Sequence, residues 1–171
     1  MLDVSHHVID ALCGGTTATQ WCGGTTALQY AIVADNNKLV EALIAVGAST
    51  KAPSSGAPPV VLCAYFGNAG CLRLLIDGGG CVNDAGACCR TPLIALVVGN
   101  LGDAVERMAV LLSRSELEFD TKYEGKTAQQ WAVLKGRHTL AAMIADEIRK
   151  RARWASVSRA AFLLCLKSAH V

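Results

Sequence analysis

The chain has 171 residues, of which 52% are hydrophobic but only 5% aromatic, and its formal net charge is +2. This length allows one domain, and no run approaches the ~18 apolar residues that a membrane span requires. The N-terminus has neither the basic start nor the long apolar stretch of a secretory signal. We therefore expect an intracellular protein, cytoplasmic or nuclear, whose small aliphatic side chains favour thin stacked helices over one thick core.

Three glycines, Gly15, Gly47 and Gly79, are spaced 32 residues apart, and each closes an apolar segment. A period in the low thirties is typical of a repeat protein, in which each unit is too small to bury its own apolar face. The pattern predicts two helices per unit, with the glycine ending the second helix. The predicted helices lie near residues 27–34, 38–46, 59–66, 70–78, 92–98, 104–113, 128–135 and 139–151.

Capping residues mark the starts and ends of these helices. A threonine that can cap the start of a helix occurs at Thr26, Thr91 and Thr127. A proline at the first helical position occurs at Pro59 and Pro92. Gly67 and Gly136 are expected to take the left-handed conformation that ends a first helix. In the third unit the second half lies four residues later than the period predicts, which indicates an insertion near Gly99–Asp103.

The openings of the units carry a family resemblance. The run Gly24-Thr-Thr-Ala-Leu-Gln-Tyr-Ala31 resembles the ankyrin repeat, as do the openings Gly56-Ala-Pro-Pro-Val, Thr91-Pro-Leu-Ile and Gly125-Lys-Thr-Ala. The resemblance covers most of residues 8–147 and implies an all-α, ankyrin-repeat solenoid of stacked helix-turn-helix units with loop or hairpin tips. Its units are a half repeat at 1–23 and repeats at about 24–55, 56–88, 89–122 and 123–147. The family's opening histidine is replaced by Gln29, Val61, Ile94 and Gln130, so its usual Thr–His hydrogen bonds are not expected.

Ankyrin-like proteins bind partner proteins on a concave surface made of the loop tips and the exposed side of the first helices. The resemblance therefore implies a non-catalytic protein–protein interaction module, or scaffold, with an unidentified partner protein. Carried onto this sequence, the surface holds Trp21, Thr25, Tyr65, Phe66, Arg90, Tyr123, Lys126 and Lys135. Tyr65 and Phe66 are the expected anchors, because large aromatic side chains dominate interface energetics. The alternative is that Trp21 and Phe66 pack against neighbouring repeats.

Catalytic and metal-binding patterns in the sequence are weak. The segment Tyr123–Thr127 looks like the end of a phosphate-binding P-loop, but residue 120, which would have to be glycine, is Asp120. Of the eight cysteines, Cys63 and Cys71 lie at positions that suit small buried residues. The cysteines within residues 81–89 lack a Cys-x-x-Cys pair and a neighbouring histidine. We expect no enzyme activity, no small-molecule substrate, no cofactor and no metal.

Positive charge is concentrated at the C-terminal end. Residues 1–147 hold ten basic and fourteen acidic residues, whereas residues 148–171 hold six basic and no acidic residues. We expect residues 148–171 to form a basic capping helix that packs Trp154 and Leu164 onto the last repeat, since the ends of a solenoid need covering. The basic residues expected to remain in solvent are Arg149, Lys150, Arg151 and Arg153. The alternatives are a tail that contacts an anionic membrane, nucleic acid or a partner protein, and a regulatory or targeting fragment of a larger protein.

Overall fold

The computed structural model describes residues 26–51, 57–86, 89–99 and 102–168, with side chains as far as residue 159. Several sequence predictions lie outside these residues: the half repeat at 1–23, the helix end at Gly15, and the site residues Trp21 and Thr25. The side chain of Leu164 lies outside them too.

Eight helices and one short hairpin form the described part of the chain. In chain order they are α1 (Ala27–Val33), α2 (Asn37–Ala45), α3 (Pro59–Phe66), α4 (Ala69–Asp77), α5 (Pro92–Val98), α6 (Ala104–Leu112), β1 (Lys122–Tyr123), β2 (Lys126–Thr127), α7 (Ala128–Leu134) and α8 (His138–Ser168). In the antiparallel hairpin, Lys122 pairs with Thr127 and Tyr123 pairs with Lys126. The mostly helical class is confirmed, and seven of the eight helices begin and end within about two residues of their predicted bounds.

The helices form two rows. In the first row α1 packs on α3, α3 on α5 and α5 on α7, and in the second row α2, α4, α6 and α8 follow one another in the same way. Each first-row helix also packs on the second-row helix that follows it in the chain. The core lies between the rows, and its largest fully buried apolar side chains are Leu28, Ile32, Leu43, Leu72, Leu75, Leu93, Ile94, Leu96, Met108, Leu111 and Ile144.

Threonine caps begin three of the first-row helices, as the sequence predicts. Thr26 Oγ1 accepts a hydrogen bond from the backbone N–H of Gln29 (3.2 Å), and Gln29 Oε1 accepts one from the N–H of Thr26 (2.8 Å). Thr127 and Gln130 repeat this capping box at α7, with distances of 3.4 and 2.9 Å. The glutamines that replace the expected histidine therefore satisfy backbone groups at the helix start.

Glycines end several helices, although one of them does so differently from the prediction. Gly47 and Gly79 follow the ends of α2 and α4, as predicted, and have positive φ angles, 86° and 89°. Gly136 takes the left-handed conformation with φ 68°, as predicted. Gly67 was expected to do the same, and that prediction is wrong, because its backbone is extended. Glycine is needed there for space, since a Cβ atom would lie 2.7 Å from Cys63 Sγ.

Two arginines, the buried Arg107 and the half-buried Arg137, join successive helix pairs. The Nη1 atom of Arg107, in α6, donates to the carbonyl of Ala64 near the end of α3 (2.7 Å), and its Nη2 atom donates to the carbonyl of Gly102. Arg137 donates in the same way to the carbonyls of Leu96 (3.2 Å) and Gly99 (2.7 Å) at the end of α5. Arg107 thus satisfies one carbonyl, and Arg137 two, that the end of a preceding helix leaves without an intrahelical partner. Burial lowers the pKa of both arginines.

The long helix α8 corrects the prediction for the C-terminal tail. The last predicted repeat helix and the tail form one continuous helix, His138–Ser168, and its first turns bury Leu140 and Ile144. Trp154 was expected to pack onto the last repeat, but its side chain is 66% exposed. The reason is geometrical: the unbroken helix carries Trp154 away from the preceding helices instead of turning it back onto them.

Arg151 is a second correction in α8. It was expected to lie in solvent, but its guanidinium donates hydrogen bonds to four carbonyls that follow or end α6, those of Leu112, Arg114, Ser115 and Leu117. It also lies 4.8 Å from the ring centre of Phe119. Arg149, Lys150 and Arg153 are exposed, as predicted. Among the helices described, none is both long enough and apolar enough to cross a membrane.

Candidate protein-binding surface

Five side chains from the hairpin, from α7 and from the loop before α5 form a basic–aromatic cluster, consisting of Arg90, Tyr123, Lys126, Trp131 and Lys135. Arg90 Nη2 donates to the hydroxyl oxygen of Tyr123 at 2.8 Å. The guanidinium carbon of Arg90 lies 4.6 Å from the centre of the Tyr123 ring, within the range of a cation–π contact. The loop before α5 is thereby joined to the hairpin before α7.

Trp131 is the centre of the basic–aromatic cluster. Its Nε1 atom donates to the carbonyl of Tyr123 at 3.0 Å, and the two rings are 6.2 Å apart. The ammonium groups of Lys126 and Lys135 lie 5.4 and 6.0 Å from the Trp131 ring centre. These contacts place two exposed positive charges around one half-buried indole, and the indole ring attracts both.

Trp131 was missing from the site residues that the sequence analysis selected. A signal for it does exist, because Lys135 follows it by four residues, a spacing that places both side chains on one face of a helix. The contacts of Trp131 with Tyr123 and Lys126 could not be predicted from sequence spacing. They depend on the hairpin, which folds β1 and β2 back against the start of α7.

An open depression of about 690 Å³ adjoins the basic–aromatic cluster on the side of α7. Its lining combines amide, hydroxyl, amine and apolar groups, from Gly125, Lys126, Thr127, Gln129, Gln130, Val133 and Leu134. Val133 and Leu134 are both exposed. The lining offers apolar contact area beside the ammonium group of Lys126. Glu124, in the hairpin turn, immediately precedes the first lining residue in the sequence.

Tyr65 and Phe66, the expected anchors, form a separate aromatic pair at the end of α3. Their rings meet edge to face with centroids 4.5 Å apart, and Phe66 is 52% exposed whereas Tyr65 is half-buried. The backbone of Tyr65 lies against Gly99, where a Cβ atom would come within 2.7 Å of the Tyr65 carbonyl oxygen. The exposure of Phe66 weighs against the alternative that neighbouring units bury it.

The structure therefore divides the predicted site residues into two groups. Arg90, Tyr123, Lys126 and Lys135 meet in the basic–aromatic cluster around Trp131. Tyr65 and Phe66 lie on α3, and α5 packs between α3 and α7. Both groups belong to the first row of helices and the loops that precede them.

The cysteines that the structure describes behave as small buried residues or lie at the surface. Cys63 and Cys71 are buried, as predicted, and Cys81 and Cys89 are exposed. A hydrogen bond with Cys71, together with burial, raises the pKa of the Cys63 thiol well above its usual value, so this thiol stays protonated and is a poor nucleophile. In the described ranges, no three His, Cys, Asp or Glu side chains are grouped so that they could hold a metal ion.

The chain matches no protein-family model, and no curated protein shows significant sequence similarity to it. Support for a function comes from the repeat pattern and from the surface described above. That surface presents aromatic rings and an arginine, residue types that are enriched in protein interfaces.

Proposed function

We propose that this chain is an ankyrin-repeat protein that binds a partner protein, without catalysis, through the first row of helices and its loops. Three features support the assignment to the family. The glycine period is 32 residues, the helices form two rows of successive pairs, and threonines cap α1, α5 and α7. A stack of such pairs provides an extended surface to which every unit contributes.

The convergence of four predicted site residues around Trp131 is the observation that carries the binding proposal. Arg90, Tyr123, Lys126 and Lys135 were selected from four separate sequence positions, and all four contact each other or Trp131. Aromatic and arginine side chains are over-represented among the residues that dominate binding energy. Hydrogen bonds and ring contacts hold this group in place before a partner arrives, which lowers the entropy cost of binding.

The chemistry of the surface favours a partner segment with acidic and apolar side chains. Lys126 and Lys135 can attract carboxylates, while Val133, Leu134 and Phe66 offer exposed apolar area. Charge complementarity of this kind mainly raises the association rate and makes it sensitive to salt. The apolar side chains contribute more to the lifetime of the complex.

The first test removes the anchor on α3. The partner is captured from cell extract with the wild-type protein, identified, purified and titrated calorimetrically. Phe66→Ala should weaken its affinity by about 2 kcal/mol, roughly 30-fold, if Phe66 is a hot-spot residue. Val105→Ala, on the second-row helix α6, removes a similarly exposed apolar side chain away from the surface and should leave the affinity unchanged.

The second test removes the exposed lysines of the basic–aromatic cluster. Lys126→Ala with Lys135→Ala should slow association several-fold at low salt and by less at high salt, because screening already weakens the attraction there. Lys38→Ala with Arg73→Ala removes two exposed basic side chains from the second-row helices α2 and α4 and serves as the matched control. Equal affinities for all four variants, with helicity retained, would refute this surface as the binding site.

A further inference from the structure

The end of α8 combines exposed apolar and basic side chains. Trp154 and Val157 are 66% and 60% exposed, and Arg149, Lys150, Arg153 and Arg159 are exposed as well. We call residues 149–168 the distal segment of α8. The expectation that it covers the last repeat is wrong for Trp154, so the exposed indole needs another explanation.

Helix geometry places these two kinds of side chain side by side. Trp154 and Val157 are three residues apart and therefore lie on the same face of the helix. Lys150 precedes Trp154 by four residues, and Arg153 precedes Val157 by four residues, so each apolar side chain has a basic neighbour along the helix. The face presented to solvent is thus apolar and cationic together.

Acidic residues do not balance this charge. After Glu147 the sequence contains six basic and no acidic residues. Arg149 and Lys150 form ion pairs with Asp146 and Glu147, but such pairs between exposed side chains are weak. Each of these two basic side chains can exchange its carboxylate partner for another anion at a small cost in free energy.

We propose that the distal segment of α8 binds the surface of an anionic lipid bilayer. In such a helix Trp154 and Val157 enter the headgroup boundary, and the long side chains of the basic residues beside them reach anionic headgroups. Tryptophan is the side chain that most favours this boundary. Nucleic acid would satisfy the cations but would leave Val157 without an apolar environment.

The membrane-binding site is separate from the proposed protein-binding surface. The distal segment continues a second-row helix, whereas the basic–aromatic cluster and Phe66 belong to the first row and its loops. The two proposals can therefore fail independently. Binding to lipid can be measured with the full chain and without any partner protein.

The test is flotation of the full-length protein with vesicles of phosphatidylcholine containing about one-third phosphatidylserine. We expect the protein to bind the vesicles at low salt concentration and to bind much less as the salt concentration is raised. Each basic residue near an anionic surface increases the partition coefficient onto the vesicles by roughly fivefold. Arg153→Gln with Arg159→Gln should reduce partition at least tenfold. The matched control is Lys38→Gln with Arg73→Gln, which removes the same charge from exposed sites on α2 and α4 and should leave partition unchanged.

Trp154 supplies a second and independent readout. The emission of Trp154, obtained as the difference between wild type and Trp154→Phe, should shift to shorter wavelength with anionic vesicles. Circular dichroism checks that both proteins keep their helicity, which is expected because this side chain is exposed.

Three results would overturn the proposal. The first is no flotation with anionic vesicles at low salt. The second is equal loss of partition in the arginine variant and in the control variant. The third is tighter binding to an oligonucleotide than to vesicles, with Trp154 emission unchanged by lipid, which would assign the distal segment to nucleic acid.

Discussion

The helices α1 and α7 begin in the same way and end in different surroundings. Both start with a threonine whose hydroxyl and whose backbone N–H are bonded to the glutamine three residues later. At α1 this glutamine, Gln29, is 3% exposed, and its Nε2 atom also donates to the carbonyl of Ala57 before α3, at 2.8 Å. At α7 the corresponding Gln130 is exposed and lines the open depression.

The apolar side chains six residues after each threonine show the same contrast. Ile32 is 1% exposed in α1, and Val133 is 55% exposed in α7. The difference follows from position, since α3 packs on α1 whereas α7 is the last first-row helix among the described residues. The comparison teaches that the cap sets where a helix begins, and that the next unit decides what the helix buries.

The largest difference in the free energy of unfolding should come from substitutions of Ile32 and Val133. Ile32→Ala leaves a cavity in the core beside α1 and should lower the free energy of unfolding by about 3 kcal/mol. Val133→Ala removes an exposed side chain and should change it by less than about 0.5 kcal/mol. Urea unfolding followed by circular dichroism measures both. Similar losses in the two variants would mean that another element covers α7.

Substitutions of the two glutamines should differ less in their effect on the free energy of unfolding. Gln29→Ala removes a bond to the cap and the bond to the Ala57 carbonyl in a buried setting, and should cost about 2 kcal/mol. Gln130→Ala removes only a bond to the cap at an exposed site and should cost about 0.5 kcal/mol. The same unfolding experiment applies. A cost at Gln130 that equals the cost at Gln29 would contradict the role given to the bond between units.

The threonines should show the smallest difference between the two helices. Thr26→Ala and Thr127→Ala each remove an N-cap acceptor and should each cost about 1 kcal/mol. Because both caps act within their own helix start, the two losses should agree within experimental error. A serine at either position retains the hydroxyl and is the control. Unequal losses would show that the cap, too, depends on the neighbouring unit.

Local features of the fold could be predicted from the sequence. The helix at Pro59–Phe66 was predicted with the bounds that the structure has, because proline at the first position and glycine after the last mark both ends. Thr26, Thr91 and Thr127 cap as expected, since a cap bond spans three residues. The shifted start of the third unit's second helix, at Ala104 after a left-handed Asp103, also agrees with the predicted insertion.

Features that join distant parts of the chain could not be predicted in this way. Arg151 was expected in solvent, but the carbonyls that it binds lie more than 30 residues earlier in the chain. Trp131 contacts Tyr123 only because the hairpin folds back. Trp154 was expected to pack because its spacing is amphipathic, but spacing alone does not say whether a helix turns back or continues.

The contact between Gly99 and Tyr65 has a consequence for how this sequence can evolve. A Cβ atom at position 99 would meet the carbonyl oxygens of Tyr65 and Ala95 at 2.7 and 2.8 Å, so any larger residue must push α3 and α5 apart. The aromatic pair of Tyr65 and Phe66 lies at that end of α3. Position 99 has no side chain to offer a ligand, yet a substitution there would displace Phe66, so selection on the proposed surface would also act on a residue outside it.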